Sequence, residues 1–307
     1  MEHVLESQQF TKEVLHDLFK KADELREKPE NLLDGKILAT LFYEPSTRTR
    51  LSFEAAMHKL GGKVITTENA KEFSSAVKGE SIRDTIKVIS PYVDCIVIRH
   101  YEEGSAAEAA AVSKVPIINA GDGKGQHPTQ ALLDIYTIYR ELGRVNNLKV
   151  AMVGDLSHGR TVRSLSYLLT KFEGIEIIFV SPENLRMGDD IKEYLQKKEV
   201  KFVEEDDLNK VISEVDVIYM TRIQKERMSR EDYESANGKY VISEKNFNLI
   251  KPTARLMHPL PHVEEISLSH ELEENDLRVA YFRQAENGLY IRMALLNWLI
   301  NGKDHTA

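Results

Sequence analysis

The sequence has almost no cysteine and no long uninterrupted apolar run. Among 307 residues there is one cysteine, Cys95, and one tryptophan. A single cysteine excludes an internal disulfide and a cysteine zinc cluster in the chain. No apolar run approaches the ~18 residues that a membrane-spanning helix requires, and no secretory signal pattern is visible. We therefore expect a cytoplasmic protein that does not bind membranes.

Acidic residues outnumber basic ones. The chain has 41 lysines and arginines against 49 aspartates and glutamates, a formal net charge of −8. Proteins that bind nucleic acid usually present a basic face, so this balance argues against a nucleic-acid partner. Any arginines that bind an anion must act locally, inside a shielded site. The length is sufficient for two domains.

One short stretch, from Ser46 to Arg50, alternates hydroxyl and guanidinium side chains. An apolar run, Ile37 to Phe42, precedes it and is typical of a buried strand. An amphipathic run, Leu51 to Leu60, follows it and is typical of a helix. The stretch is therefore predicted to lie at a helix N-terminus, directly after a strand.

Such a position favours an anion. A helix N-terminus has free N–H groups and a partial positive charge, and Ser46 or Thr47 suits its N-cap position. Arginine adds a planar fork that pairs with phosphate or carboxylate. We expect a phosphate-type site on which both guanidinium groups, Arg48 and Arg50, converge. The alternative interpretation is a capped helix whose arginines face solvent.

Strand-like and helix-like segments alternate through both halves of the chain. The predicted helices include residues 104–114, 128–142, 207–214 and 288–300. This alternation predicts an α/β protein with two parallel-sheet domains. Ligands of such sheets bind beyond the carboxyl ends of the strands. We expect the cleft between the domains to gather the chemically active residues that follow strands, namely Arg48, Arg99, His127, Arg160, Arg222 and the loop from His258 to His262.

Several other kinds of site are not supported by the sequence. The segment Gly154 to Thr161 has the spacing of a phosphate-binding loop, but Arg160 stands where that pattern requires lysine. No dinucleotide-binding glycine pattern occurs, and the histidines lack the paired spacing of a zinc site. We therefore expect no cofactor and no metal. The remaining chemistry is positioning and electrostatic stabilisation of a developing oxyanion.

Together these motifs resemble the transcarbamoylase family over nearly the whole chain. The matching segments, in order, are Ser46–Arg50, Lys78–Glu80, Arg99–His100, His127–Gln130, Gly154–Asp155, Gly159–Thr161, Thr221–Arg227 and His258–Pro261. The last two segments are similar to the branch whose acceptor is aspartate, because ornithine-specific enzymes typically carry a cysteine where Pro259 stands here. An ornithine-like acceptor and a non-catalytic anion-binding homologue are the alternatives.

The resemblance implies a reaction of pyrimidine biosynthesis, in which the amino group of L-aspartate attacks carbamoyl phosphate to give N-carbamoyl-L-aspartate and phosphate. It also implies which residues catalyse the reaction and which bind each substrate. Catalytic residues would be Arg48, Thr49, Lys78, Arg99 and His127. Carbamoyl phosphate would contact Ser46, Thr47, Arg48, Thr49, Arg99, His127, Gln130, Leu260 and Pro261. Aspartate would contact Lys78, Arg160, Arg222 and Gln224.

The resemblance further implies how the chain is organised. A carbamoyl-phosphate-binding domain would comprise residues 1–133 and 287–307, and an aspartate-binding domain residues 134–286. The protein would be a homotrimer in which Ser74 and Lys78 reach the neighbouring subunit's site, with a separate regulatory chain as an open alternative. The chain departs from the family at His262, where arginine is usual, and this leaves the ion pairing of that loop open. It also departs at Pro45, where a small residue is commoner and where proline should stiffen the turn.

Overall fold

The computed structural model describes residues 2–69, 79–222 and 239–302. It divides into two compact units, Met1–Leu133 with Glu286–Ala307, and Asp134–Ala285. Each unit contains a parallel β-sheet with helices in the connections between its strands. The prediction of an α/β protein with two parallel-sheet domains is confirmed.

The first unit has a four-stranded sheet in the order β2-β1-β3-β4, and every neighbouring pair is parallel. Its elements are α1 (Lys12–Glu27), β1 (Ile37–Phe42), α2 (Thr47–Lys59), β2 (Lys63–Glu68), α3 (Ile82–Ile89), β3 (Cys95–His100), α4 (Ser105–Ala110) and β4 (Ile117–Asp122). The inner strands β1 and β3 and the edge strand β4 are almost wholly buried, as their largely apolar sequences require, whereas the other edge strand, β2, is largely exposed.

The boundary between the units falls inside two long helices, α5 (Pro128–Leu142) and the last helix, α11 (Tyr281–Asn301). The second unit has a five-stranded parallel sheet in the order β10-β8-β5-β6-β7 and a separate two-stranded ladder, β11-β9. Its elements are β5 (Lys149–Val153), α6 (Arg160–Leu169), β6 (Glu176–Val180), α7 (Asp189–Lys197), β7 (Lys201–Glu205), α8 (Leu208–Val211), β8 (Val217–Met220), β9 (Ile242–Ser243), α9 (Glu244–Phe247), β10 (Arg255–Met257), β11 (Ile266–Ser267) and α10 (His270–Asn275).

One glycine is required where the central strand of the second sheet ends. Gly154 follows β5 with φ +115°, and a Cβ there would lie 2.3 Å from the carbonyl oxygen of Thr221. Thr221 in turn donates its N–H and its hydroxyl to the carbonyl of Val153, each at 2.8 Å. Only glycine fits both the backbone conformation and the close approach of the neighbouring strand.

Three of the four predicted helices named above differ from those observed. The helix predicted over 104–114 ends at Ala110, and the helix predicted over 207–214 ends at Val211. The helix predicted from residue 288 begins at Tyr281 instead. Gly288 lies inside that helix, where a Cβ would meet the side chains of Arg292 at 2.6 Å and Leu133 at 3.2 Å. Glycine is present at position 288 because side chains pack closely against it, and it does not mark the start of the helix.

An ion cluster in the second unit supports a prediction about stability. Arg255 Nε lies 2.8 Å, and Arg283 Nε 2.7 Å, from the carboxylate of Glu141. Burial opposes the charge of Glu141, but the hydrogen bonds from Arg283 and Arg255 outweigh it and lower the pKa of the carboxyl group. We expect Glu141→Gln to destabilise the fold at pH 7 by at most about 3 kcal/mol, because it leaves two arginines without their counter-charge.

The pH dependence of that effect has a definite sign. Because the folded-state pKa of Glu141 is lowered, its stabilisation is present above the unfolded-state pKa, near 4.3, and is lost as the pH falls through the folded-state value. Thermal unfolding of the wild type and Glu141→Gln should therefore differ at pH 7 and converge in acid. A difference that grows in acid would contradict the assignment.

Among the described residues, no helix is long and apolar enough to cross a membrane.

Candidate active site

The predicted site residues of the first unit lie at the carboxyl ends of three adjacent strands. Ser46 to Thr49 follow β1, Arg99 is the second-last residue of β3, and His127 follows β4. The sheet order places β1, β3 and β4 side by side. Parallel strands end at the same edge of a sheet, so the fold brings these segments to one edge, where open α/β sheets bind ligands.

The helix start after β1 leaves its first donors available to a ligand. Ser46 is the N-cap residue of α2, as predicted, but its side chain makes no capping hydrogen bond. The first intrahelical bond of the turn joins Arg50 N–H to the carbonyl of Ser46 at 3.0 Å. The amide groups before Arg50 therefore precede the helical ladder, at the positive end of the helix dipole.

Ser46 occupies the N-cap position without a capping hydrogen bond, so its effect on stability can show whether its side chain serves a ligand or the fold. We expect Ser46→Ala to change the unfolding free energy by no more than about 0.5 kcal/mol, because no capping bond is lost. The matched control is Thr11→Ala, since the Thr11 side chain accepts the Val14 N–H at 3.3 Å and caps α1. That variant should cost about 1 kcal/mol. Chemical denaturation of both variants checks this, and equal losses would mean that Ser46 is a cap after all.

The two arginines of this stretch do not share one role. Arg50 donates to Glu54 Oε1 at 3.1 Å and to Glu68 Oε2 at 2.7 Å, so its guanidinium ties α2 to strand β2. The prediction that both guanidinium groups converge on an anion is therefore wrong for Arg50. Arg48 lies in the first turn of α2, and partial burial lowers the pKa of its guanidinium group, which remains charged at neutral pH. Thr49, beside it, is buried.

Arg99 is oriented by two contacts at the end of β3. Its Nη2 lies 3.3 Å from Glu44 Oε2, and its Nη1 donates to the carbonyl of Ala120 at 3.4 Å. The side chain is only 11% exposed, so the guanidinium is held in a largely desolvated place. Its charge therefore acts on a nearby anion more strongly than it would in water.

His127 caps helix α5 with its imidazole ring. Its Nδ1 accepts the N–H of Gln130 at 3.3 Å, and the Thr129 hydroxyl lies 3.4 Å from the same atom. An Nδ1 that accepts a hydrogen bond carries no proton, so the proton of the neutral ring is on Nε2. The capping interaction therefore fixes the tautomer that presents an N–H donor. His127 and Gln130 are both buried, one turn apart.

The predicted site residues of the second unit also follow three adjacent strands. Arg160 is the first residue of α6, after β5, Arg222 follows β8, and His258 follows β10. These strands are neighbours in the order β10-β8-β5. Arg160 is half-buried and Arg222 is exposed. Two cations therefore stand at neighbouring strand ends, which suits a ligand with more than one negative group.

The loop that presents Arg160 is organised by a buried carboxylate, Asp155, to which the sequence analysis gave no role. Asp155 is fully buried and accepts the backbone N–H of His158 and the hydroxyl of Ser157, each at 3.0 Å. The Ser157 hydroxyl and Asp155 both contact the same ring atom of His158, Nδ1. A nucleophile relay needs the two ring nitrogens to face different partners, so this cluster positions the loop and does not activate a serine.

The loop from His258 to His262 is fixed by side chains from outside it. His258 Nδ1 accepts the N–H of Leu260 at 2.7 Å, and His258 Nε2 lies 2.9 Å from Glu265 Oε1. Burial alone would raise the pKa of Glu265, but the hydrogen bond from His258 and backbone donors outweigh it and lower the pKa. His262, where the family usually has arginine, lies 3.1 Å from Glu273. The open question about this loop is thus answered by a histidine–carboxylate pair.

Three predicted site residues, Ser74, Lys78 and Gln224, lie outside the described residues. Their roles stay predictions. Within residues 2–69, 79–222 and 239–302, no group of three or more His, Cys, Asp and Glu side chains is arranged to hold a metal ion. The side chains gathered at the two sheet edges are instead donors and cations, which suit anionic ligands.

The chain matches a known family of carbamoyl-transferring enzymes. Two family models match: the carbamoyl-phosphate-binding domain of aspartate/ornithine carbamoyltransferase over residues 2–140, and the aspartate/ornithine-binding domain over residues 146–299. Together they span nearly the whole chain. The chain belongs to the aspartate/ornithine carbamoyltransferase family.

Individual relatives are similar in sequence over nearly all of this chain and most of their own length. The chain is 54% identical to chloroplastic aspartate carbamoyltransferase 3 of Pisum sativum, over 98% of this chain and 78% of the relative. The structure of the catalytic subunit of M. jannaschii aspartate transcarbamoylase is 48% identical, with a TM-score of 0.91 over 99% of this chain and 100% of that one. The Trypanosoma cruzi aspartate transcarbamoylase structure with carbamoyl phosphate and aspartate is 39% identical, with a TM-score of 0.89 over 97% and 96%.

Proposed function

We propose that this chain transfers the carbamoyl group of carbamoyl phosphate to the amino group of L-aspartate. The products are N-carbamoyl-L-aspartate and phosphate, a step of pyrimidine biosynthesis. The observation that carries the proposal is the set of cations and helix N-terminal donors at three adjacent strand ends of the first unit, matched by Arg160 and Arg222 at adjacent strand ends of the second. The aspartate enzyme of T. cruzi, which is similar over nearly the whole chain, has been solved with both substrates.

Carbamoyl phosphate binds in the first unit. Its phosphate accepts hydrogen bonds from the N–H groups at the start of α2, from the hydroxyls of Ser46 and Thr47, and from the guanidinium of Arg48, whereas the Thr49 hydroxyl faces the carbonyl oxygen. The carbonyl oxygen faces donors from the other two strand ends, Arg99 and the Nε2–H of His127, with Gln130 one turn along α5. The carbamoyl nitrogen donates to the backbone carbonyls of Leu260 and Pro261.

The composition of the loop after β10 supports its role as an acceptor. Pro259 and Pro261 have no N–H, and the N–H groups of His258 and Leu260 are already bound by Gln284 Oε1 and His258 Nδ1. The loop therefore offers more backbone carbonyl acceptors than N–H donors. Carbonyl groups suit an NH₂ ligand, which is what the carbamoyl group presents.

Aspartate binds through its two carboxylates. Arg160, Arg222 and Gln224 hold them, and Lys78 assists. Paired cations favour aspartate over ornithine, because the ammonium group at the end of the ornithine side chain would face Arg160 and Arg222 without a partner. The named relatives are likewise aspartate enzymes.

The mechanism needs no protein general base. The aspartate nitrogen attacks the carbamoyl carbon, a C–N bond forms, and the C–O bond to phosphate breaks. Arg99, Thr49 and His127 stabilise the negative charge that develops on the carbonyl oxygen, while Arg48 stabilises the departing phosphate. The phosphate itself takes up the proton released by the amino group. The protein contributes positioning and electrostatics.

We also propose that the active form is a homotrimer in which Ser74 and Lys78 complete the neighbouring subunit's site. The exposed apolar side chains of Leu51, in α2, and Ile65, in the edge strand β2, support an interface there. Light scattering after gel filtration should give three times 35.1 kDa, and a monomer would contradict it. Co-purification from the source would reveal a separate regulatory chain.

A reducing compartment, the cytoplasm, is proposed because the one cysteine is a buried free thiol. The pea relative is chloroplastic, so cell fractionation decides between the two compartments.

The direct test of function is product formation by the purified chain. Carbamoyl phosphate is offered with L-aspartate or with L-ornithine, without added metal or nucleotide. We expect a ureido product with aspartate alone. Product with ornithine alone would mean that the roles of Arg160 and Arg222 are misassigned, and no product with either would favour a non-catalytic anion-binding protein.

A further inference from the structure

A buried carboxylate in the second unit is linked to the backbone of the His258–His262 loop. Asp134 is fully buried, and its Oδ1 accepts from Gln284 Nε2 at 2.6 Å. The other end of the same amide, Gln284 Oε1, accepts the backbone N–H of His258 at 2.9 Å. The connection therefore runs from helix α5 through helix α11 to the first residue of the loop.

The chemistry of the partners fixes the orientation of the amide. A carboxylate only accepts and a backbone N–H only donates, so the Gln284 NH₂ must face Asp134 and its oxygen must face His258. Both contacts are desolvated, since Asp134, Gln284 and His258 are each at most 2% exposed. A buried polar group that loses its partner costs more than an exposed one. The amide is thus held tightly in one orientation.

Asp134 has a second partner that does not reach the loop. The hydroxyl of Tyr219 donates to Asp134 Oδ2 at 2.7 Å. Tyr219 lies in β8 and is also fully buried. Each oxygen of the Asp134 carboxylate therefore has its own donor. Oδ2 accepts from Tyr219 in the sheet, and Oδ1 accepts from Gln284, whose amide holds the loop.

The loop needs such a constraint because its backbone is strained. Leu260 has φ +56°, a conformation that a branched residue rarely adopts. Its N–H is held by His258 Nδ1, so the position of His258 determines that of Leu260. The backbone of His258 is in turn held by Gln284.

We propose that Gln284, oriented by Asp134, is a positioning residue that places the Leu260 and Pro261 carbonyls for the carbamoyl nitrogen. The inference rests on the function proposed above for the loop. Neither Gln284 nor Asp134 contacts substrate in this scheme. They act through the His258 N–H, and a loop that shifts by an ångström loses rate without losing the fold.

The experiment compares two variants that each remove one hydrogen bond from Asp134. Gln284→Met breaks the link to the loop at similar side-chain volume. Tyr219→Phe removes the other bond and leaves the link intact. We expect both to lower the melting temperature, but only Gln284→Met to lower kcat/KM for carbamoyl phosphate, by about tenfold, below the ~10²-fold that a 1 Å misplacement can cost.

A readout independent of activity accompanies the kinetics. Amide hydrogen exchange in the segment 258–262 should quicken in Gln284→Met and stay unchanged in Tyr219→Phe. Asp134→Asn keeps an oxygen for Gln284 and should retain most of the activity. Unchanged exchange in Gln284→Met, or faster exchange with wild-type kinetics, would overturn the proposal.

The remaining outcomes are also decisive. Equal kinetic losses in Gln284→Met and Tyr219→Phe would assign Asp134 a purely structural role and overturn the proposal. If the wild type itself transfers no carbamoyl group, the proposed function fails. Faster exchange in Gln284→Met would then show only that Gln284 stabilises the loop, and the proposed role in catalysis would fail as well.

Discussion

Replacing Arg48 by alanine should lower kcat for carbamoyl transfer by about 10²–10³-fold or more, the scale of losing one preorganised donor to a developing oxyanion. Arg48 lies in the first turn of α2, beside a serine that makes no capping bond, and is assigned to the departing phosphate. Because its charge matters most as the C–O bond breaks, the loss should fall on kcat more than on the binding of carbamoyl phosphate. Steady-state kinetics with saturating aspartate measure it.

The same helix supplies the control. Arg50→Ala makes an identical change two residues later, but Arg50 is paired with Glu54 and Glu68. We expect that variant to lose some stability and keep its turnover within a few-fold. Near-normal turnover in Arg48→Ala, or an equal loss in Arg50→Ala, would refute the division of roles between the two arginines.

Replacing Arg160 by alanine should lower kcat/KM for aspartate by about 10²–10³-fold. Truncating one partner of a desolvated charge pair costs about 2–5 kcal/mol, and each 1.4 kcal/mol is tenfold. The effect should appear mainly in the KM for aspartate, because Arg160 holds the acceptor and not the leaving group. Binding of carbamoyl phosphate alone, measured by calorimetry, should change little.

Helix α6 offers a matched control for this variant. Arg163 lies one turn beyond Arg160, and its Nη1 donates to Asp190 Oδ1 at 3.2 Å. Arg163→Ala should therefore leave the KM for aspartate near the wild-type value. If Arg160→Ala instead weakened carbamoyl phosphate and spared aspartate, the assignment of the two substrates to the two units would be reversed.

Much of the fold could be predicted because its signals are local. Strand Ile37–Phe42 and helix Pro128–Leu142 have the predicted ends, since an apolar run and a helical period lie wholly within a few residues. The predicted start of the last helix at Gly288 is wrong, because glycine is a weak helix former and Leu133, which packs against Gly288, is distant in the sequence.

The candidate site likewise has a part that the sequence predicts and a part that it does not. The sequence by itself predicted an anionic ligand and its candidate residues, because arginines, hydroxyls and a histidine directly after strands are typical of anion binding. It could not separate Arg48 from Arg50, whose local patterns are alike, because Glu68 comes from another strand. Nor could it find Gln284 and Asp134, which are 150 residues apart. Which polar groups pair in the interior depends on which strands and helices become neighbours, and only the tertiary structure decides that.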